Sequence, residues 1–215
     1  MSEEMIRRRV MMAVAQGGGG GSSLPSEYQE VEYIQSSGSQ YIDTGLYGNS
    51  GIKISARMAW VTASNTLFGS RKDAGATRFF ITAYNGIDFG YGNDKIVGIQ
   101  IVTGQIYDFI YDTSAAPNAV EFYVDGVVKN STTGSVETNT TMYIFAYHRG
   151  SDNGVLNRSS ARFYSMKIED GNGSVLFEGV PCYHKTSGVI GIYDLATDTF
   201  FTNLGSGDFT KGNDV

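Results

Sequence analysis

"IKISARMAW", residues 52 to 60, decides the fold. Ile52, Ile54, Ala56, Met58 and Trp60 fall on one face of an extended chain, and Lys53, Ser55 and Arg57 fall on the other. A period of two is the mark of a strand with one side buried and one side in water. Further along, "ARFYSMKIEDGNGSVLFEGV" (161 to 180) sets Tyr164, Met166 and Ile168 against Ser165 and Lys167, then turns at Gly171-Asn172-Gly173 and returns over Val175 to Val180. That pattern is a hairpin. "NAVEFYVDGVVKN" (118 to 130) repeats it, with Asp125-Gly126 between two β-branched runs, the strongest short-range hairpin signal.

Working outward, strands are also expected near 30–34, 40–44, 66–71, 78–84, 86–91, 95–102, 105–112, 141–147, 189–193 and 199–202. The 215-residue chain holds 28 Gly, 14 Tyr and 12 Phe, which suits short strands joined by tight turns. About a dozen strands without intervening helices specify two packed antiparallel sheets or a closed barrel rather than a parallel α/β sheet, and the sandwich is preferred. The expected class is all-β, a sandwich of one domain with a tail. Trp60 ends its buried series and is assigned to the core. Two stretches break simple alternation. In "QIYDFIYDT" (105 to 113), Tyr107, Phe109 and Tyr111 oppose Ile106, Asp108 and Ile110; in "TMYIFAYHRG" (141 to 150), Tyr143, Phe145 and Tyr147 oppose Met142, Ile144, Ala146 and His148. Such rows fill a core or line a sugar-binding groove, and the core reading is preferred because aromatic rows in strands usually pack inward.

The net charge of −6 and the lack of a basic cluster outside Arg7-Arg8-Arg9 give no reason to bind nucleic acid. Cys182 is the sole cysteine, so no intrachain disulfide or cysteine metal cluster forms. His148 and His184, the two histidines, are too few for a His-rich metal site. No apolar run reaches the roughly 18 residues of a membrane-spanning helix. The opening "MSEEMIRRRVMMAVAQ" invites a signal-peptide reading, but Glu3 and Glu4 sit in what would be its basic region and the apolar run is shorter than the usual length. A short helix fits better: Ser2 caps it, and the charge order matches the helix dipole. Met5, Ile6, Arg7, Arg8, Arg9, Val10 and Met12 would form an anchor, since an isolated helix of this length is marginal in water and needs a surface to dock on. Gly17 to Gly21 with Ser22-Ser23 then link the anchor (1–16) to the sandwich (26–212) through residues 17–25. The alternative is a frayed start.

"LPSEYQEVEYIQSSGSQYIDTG" (24 to 45), "YVDG" (123 to 126), "ARFYSMKIED" (161 to 170) and "VPCYHKTSGVIGIYDLATDTFFTNLGSGDFTKG" (180 to 212) together resemble the concanavalin A-like, laminin G-like jelly-roll domain of phage and prophage structural proteins from Gram-positive gut bacteria. The resemblance implies a virion component, in a head fibre, capsid decoration or tail, docked by its N-terminal peptide to other virion proteins or to copies of itself as a homo-oligomer. It also implies a displayed sandwich that binds host or mucosal glycans; the alternative is a bacterial surface or secreted carbohydrate-binding adhesin. "YVDG" marks only a hairpin, and Asp194 and Asp198 in "GVIGIYDLATDTFFTN" flank a turn, where aspartate bonds the backbone.

An enzyme is not expected. Jelly-roll glucanases carry two carboxylates on one strand as E-x-D-x-x-E so that acid and nucleophile face the sugar, and no such pattern occurs in the sequence; Glu121 and Asp125 are four apart, with Asp125 committed to its turn. No cofactor is expected. Calcium is a weak alternative through Asp94 and Asp152, each next to an asparagine in a glycine-rich loop of oxygen donors. "YHRGSDNGVLNRSS" (147 to 160) is the longest polar loop. Glycan contacts are therefore expected at His148, Arg149, Asp152 and Asn153, and at Tyr91, Asn93 and Asp94 on the same rim, because binding residues in such folds cluster in loops.

Overall fold

The computed structural model describes residues 24–73, 77–84, 86–92, 94–97, 99–114 and 119–215. The expected anchor (Met5, Ile6, Arg7, Arg8, Arg9, Val10 and Met12), most of the linker, and Asn93 lie outside the described residues.

Among those residues the chain forms nineteen strands: β1 (Tyr28–Glu30), β2 (Ile34–Ser37), β3 (Ile42–Asn49), β4 (Ile52–Trp60), β5 (Asn65–Arg71), β6 (Arg78–Ala83), β7 (Ile87–Gly92), β8 (Asp94–Val97), β9 (Tyr107–Asp112) and β10 (Ala119–Val124) in the first half. The second half supplies β11 (Val127–Thr133), β12 (Glu137–Ile144), β13 (Tyr147–Arg149), β14 (Gly154–Leu156), β15 (Ser160–Asp170), β16 (Val175–His184), β17 (Ile190–Asp194), β18 (Thr199–Thr202) and β19 (Thr210–Lys211). They make two sheets. The larger, of eleven strands, runs β11-β10-β9-β4-β15-β16-β17-β18, with β2 beside β15, β1 beside β16 and β19 beside β2. The smaller, of eight, runs β14-β13-β5-β6-β7-β8, with β12 joining β5 to β3. No helix among the described residues is long and apolar enough to cross a membrane.

The expected hairpins are present. β10 and β11 pair Val124 with Val127 across a two-residue turn, and Asp125 and Gly126 both take positive φ, 52° and 75°, the type I′ geometry that matches strand twist. β15 and β16 meet through Gly173, with Asp170 accepting the Asn172 and Ser174 amides on one carboxylate oxygen. Asp194 likewise serves the backbone: it accepts the Ala196 and Glu178 amides and the Thr197 hydroxyl.

The core lies between the sheets. Trp60 is fully buried and meets Phe109 edge-on, 6.0 Å between centroids. Phe79 of the smaller sheet stacks on Tyr111 of the larger at 4.5 Å and 10°, and the Tyr111 hydroxyl donates to the Gly90 carbonyl at 2.7 Å. A buried tyrosine needs such a partner for its hydroxyl. The Tyr107, Phe109, Tyr111 row therefore belongs to the core, as preferred.

Two expectations are corrected. The strand expected over 95–102 stops at Val97; Ile99 instead offers its carbonyl to Ile87, and Gly104 donates to Trp60, so this stretch closes one end of the sandwich rather than extending a sheet. Tyr143, Phe145 and Tyr147 do not share a face. Phe145 has φ +68°, an unusual conformation for a bulky residue, which ends β12 and turns the Phe145 ring into the core against Phe209. The chain reverses there: β12 pairs antiparallel with β5 at Phe68 and Gly69, and β13 runs parallel to β5 at Ser70 and Arg71.

Candidate functional site

β6 reads RFFITA, and its two adjacent phenylalanines point to opposite faces. Phe79 enters the core; Phe80 faces outward, yet is only 6% exposed. Two glycines make that possible. A Cβ on Gly90 would lie 2.6 Å from the Phe80 ring, so the ring rests on bare backbone of β7. Gly69 has φ +147°, and a Cβ there would lie 2.3 Å from the Phe79 carbonyl oxygen, which no side chain tolerates. On its other side Phe80 meets Tyr147 of β13, 5.6 Å between centroids and 25° between planes.

This pair lines an open cleft of about 300 Å³ on the outer face of the smaller sheet, together with Asn65, Arg71, Arg78, Thr82, Ala83, Tyr84 and Asn157. The cleft follows β6. Arg78 and Arg71 stand directly opposite each other at one end. Tyr84, 76% exposed, stands just past the other end, roughly 20 Å away at the rise of an extended chain. The rim is braced from behind. The Asn65 side chain donates to the Arg158 carbonyl at 2.9 Å, the Trp60 indole donates to the Asn65 carbonyl at 3.3 Å, and Thr66 takes the Asn157 carbonyl at 2.9 Å. The Thr66 hydroxyl donates to Thr82 at 3.1 Å. Directly opposite Thr82, on β7, lies Asp88, wholly buried.

Chemically, the cleft joins an exposed aromatic face and an aromatic wall to guanidinium, amide and hydroxyl groups. An aromatic ring accepts the C–H face of a sugar, and the polar groups take its hydroxyls. A second, smaller depression of about 230 Å³ at the β9–β10 end is lined by Ile99, Val102, Val124, Val127 and neighbours. It offers no exposed aromatic surface.

The residues expected from sequence fall elsewhere. Tyr91 is 3% exposed and points inward, its hydroxyl held by Ser50 at 2.7 Å and the Gly134 carbonyl at 3.0 Å. Its phenol is pushed above its ordinary value by burial. Asp94 lies on β8, its side chain outside the described residues. His148, Arg149, Asp152 and Asn153 do come together, but as a closed knot. His148 stacks on Tyr143 at 4.3 Å and 8°, and its two ring nitrogens bond Thr141 at 3.1 Å and Asn153 at 2.7 Å. Thr141 in turn donates to Asp43 at 3.0 Å. Burial, then the nearby Asp43 carboxylate, push the Tyr143 phenol up to about 12. Arg149 grips Asp152 with two donors, which lowers that carboxyl below its ordinary range. Among the described residues no group of three or more His, Cys, Asp or Glu is placed to hold a metal ion.

The loop expected to bind therefore braces β13, and its neighbour Tyr147 reaches the cleft. Tyr147 and Asn157 lie toward the two ends of the 147–160 stretch in which glycan contacts were expected, though neither was singled out; Asn65, Arg71, Arg78 and Tyr84 escaped sequence reasoning. The available signal was Phe79-Phe80-Ile81: three consecutive large apolar residues cannot obey one-sided alternation, so this strand is covered on both faces.

A two-sheet β sandwich with an aromatic, arginine-bearing cleft on one outer face is thus the class of protein defined here. No family model and no curated protein matches the chain. Among solved structures, it is similar to the 1.50 Å crystal structure of a candidate carbohydrate-binding protein from Bacteroides ovatus ATCC 8483, with a TM-score of 0.55 and 15% sequence identity. The match covers 89% of this chain and 62% of that one, so this chain spans less than two thirds of its neighbour's length. At that identity the likeness is one of fold.

Proposed function

We propose that this chain is a non-catalytic, glycan-binding β sandwich of the concanavalin A-like jelly-roll kind, presented at a surface by its N-terminal peptide. The observation that carries the reading is the cleft: an exposed Tyr84, an aromatic wall of Phe80 and Tyr147, and amide and guanidinium donors along one strand. The fold likeness to a candidate carbohydrate-binding protein supports it. The lining residues include no Asp or Glu, which supports binding without turnover, because glycoside hydrolysis needs a pair of carboxylates or an equivalent acid and nucleophile.

The surface proposed is that of a phage virion, as part of a head fibre, decoration or tail. The methionine-rich opening, for which the sequence leads one to expect a helix, and the glycine linker support docking to other virion proteins or to copies of the same chain. A bacterial surface or secreted adhesin is the alternative carrier for the same cleft.

A glycan array tests the central reading. Wild-type protein is expected to retain a defined set of glycans, and Tyr84→Ala, which changes an exposed side chain, is expected to lose them. A blank array, or binding that Tyr84→Ala leaves intact, rejects the cleft as a glycan site. Release of reducing ends from any bound glycan would instead make the protein a hydrolase. Deletion of residues 1–21 separates the carriers: loss of co-purification with virions supports particle docking.

A further inference from the structure

We infer that the Tyr84 end of the cleft reads two neighbouring hydroxyls of a neutral sugar ring through the side chains of Asn65 and Asn157; this rests on the glycan-binding reading above. Strand register brings the two asparagines together. Thr66 and Arg158 form an isolated parallel bridge, so the residues just before them, Asn65 and Asn157, stand side by side, about 4.8 Å apart at the spacing of paired strands. Both line the cleft. Ala83 lies directly opposite Asn65 and Tyr84 follows it in the chain, so the exposed ring and the two carboxamides share one end.

The fold uses the backbones of these residues and leaves most of their side-chain chemistry unspent. Both take left-handed φ, 69° at Asn65 and 50° at Asn157, a conformation that glycine adopts without steric cost. Asn65 gives one amide hydrogen to the Arg158 carbonyl, which fixes its amide plane and leaves Oδ1 open as an acceptor. The Asn157 carboxamide has no protein partner among the described residues; only its backbone carbonyl is bonded, by Thr66. Both side chains are exposed. A sugar hydroxyl donates and accepts, and a carboxamide offers the complement of each, an Oδ1 acceptor and an Nδ2 donor. Two carboxamides one strand spacing apart therefore meet hydroxyls on adjacent ring carbons, one apiece, while the C–H face of the ring lies on Tyr84. The pair is uncharged, which suits a neutral sugar.

Titration calorimetry on the full chain with neutral polysaccharides of matched length tests this. Deacetylated glucomannan and pectic galactan keep two free neighbouring hydroxyls on the rings of their backbones. Linear laminaran is linked through the middle of each ring's row of secondary hydroxyls, so its internal rings keep no adjacent pair. At least one of the first two is expected to bind about tenfold more tightly than laminaran, the worth of two modest hydrogen bonds. Asn157→Gly keeps the left-handed backbone and removes the carboxamide; it should bring that ratio close to one, as should Asn65→Gly, with thermal melts showing that both fold. Laminaran bound as tightly as the other two, or a preference that Asn157→Gly leaves intact, overturns the inference. If glycans bind without the preference and Tyr84→Ala removes them, the reading of neighbouring hydroxyls fails while the glycan site stands; if no glycan binds on the array or in solution, both fail.

Discussion

The two sheets treat their outer faces in opposite ways. On β4, β9, β15 and β16 buried and half-exposed residues largely alternate, and the outward positions carry ion pairs such as Arg57–Asp108 at 3.1 Å. On β5, β6 and β7 nearly every residue is buried on both faces. The larger sheet meets water with charges. The smaller sheet lays aromatic rings over glycine backbone and leaves a cleft where that cover is incomplete. A face that hides large rings but stays open along a groove is where a ligand gains contact area.

The comparison breaks most visibly at Phe80. If the outer face of the smaller sheet is packed as a second core, Phe80→Ala costs about 3–5 kcal/mol in urea unfolding, like an interior aromatic. A cost below about 1 kcal/mol would make Phe80 an ordinary surface residue. Gly90→Ala probes the same packing from below: its Cβ would meet the Phe80 ring at 2.6 Å, and overpacking of this kind costs about 1–3 kcal/mol. It should also weaken glycan retention, because the displaced ring disturbs its stack on Tyr147.

Alkaline pH sharpens the comparison with one group from each sheet. Burial pushes the Cys182 thiol of the larger sheet from 9.0 up to about 12, and the Tyr143 phenol of the smaller from 10.0 up to about 12. A raised folded-state value favours the protonated form, so the stability it contributes is full below the unfolded-state value and is lost as pH climbs toward the folded one. The melting temperature should therefore decline from about pH 9 to pH 12, and Cys182→Ala should delay the onset toward pH 10, where Tyr143 begins to contribute. An unchanged onset in Cys182→Ala would remove the thiol from this account. The smallest effect belongs to the larger sheet's outer face: Arg57→Gln, which loses a pair whose aspartate side chain is 53% exposed, should change stability by less than about 1 kcal/mol.

Much of the larger sheet was legible because its interactions are local. Alternation in residues 52–60 gives β4 residue by residue, and Asp125-Gly126 and Gly171 to Gly173 give two hairpins whose register the turns impose. The aspartates at 194 and 198 were correctly read as turn residues. The cleft was not legible. Tyr147 reaches Phe80 only because Phe145 takes a left-handed conformation and reverses the chain, so that β13 lies parallel to β5. In the loop that looked like a binding rim, the residues singled out, His148, Asn153, Arg149 and Asp152, bond one another, and only Tyr147 and Asn157, toward its ends, reach the cleft. Polar residues in a sequence do not say whether their partners come from the protein or from a ligand.

By itself the sequence determined an all-β chain, the positions of most strands, Trp60 and the Tyr107–Tyr111 row in the core, and the absence of a two-carboxylate glucanase pattern. Those features follow from side-chain alternation and turn chemistry, which act over a few residues. Only the tertiary structure decided which face carries a cleft and which side chains line it. Asn65, Arg78, Tyr84, Tyr147 and Asn157 converge through pairings between strands far apart in the chain, and such convergence depends on how two sheets close over a shared core rather than on any local pattern.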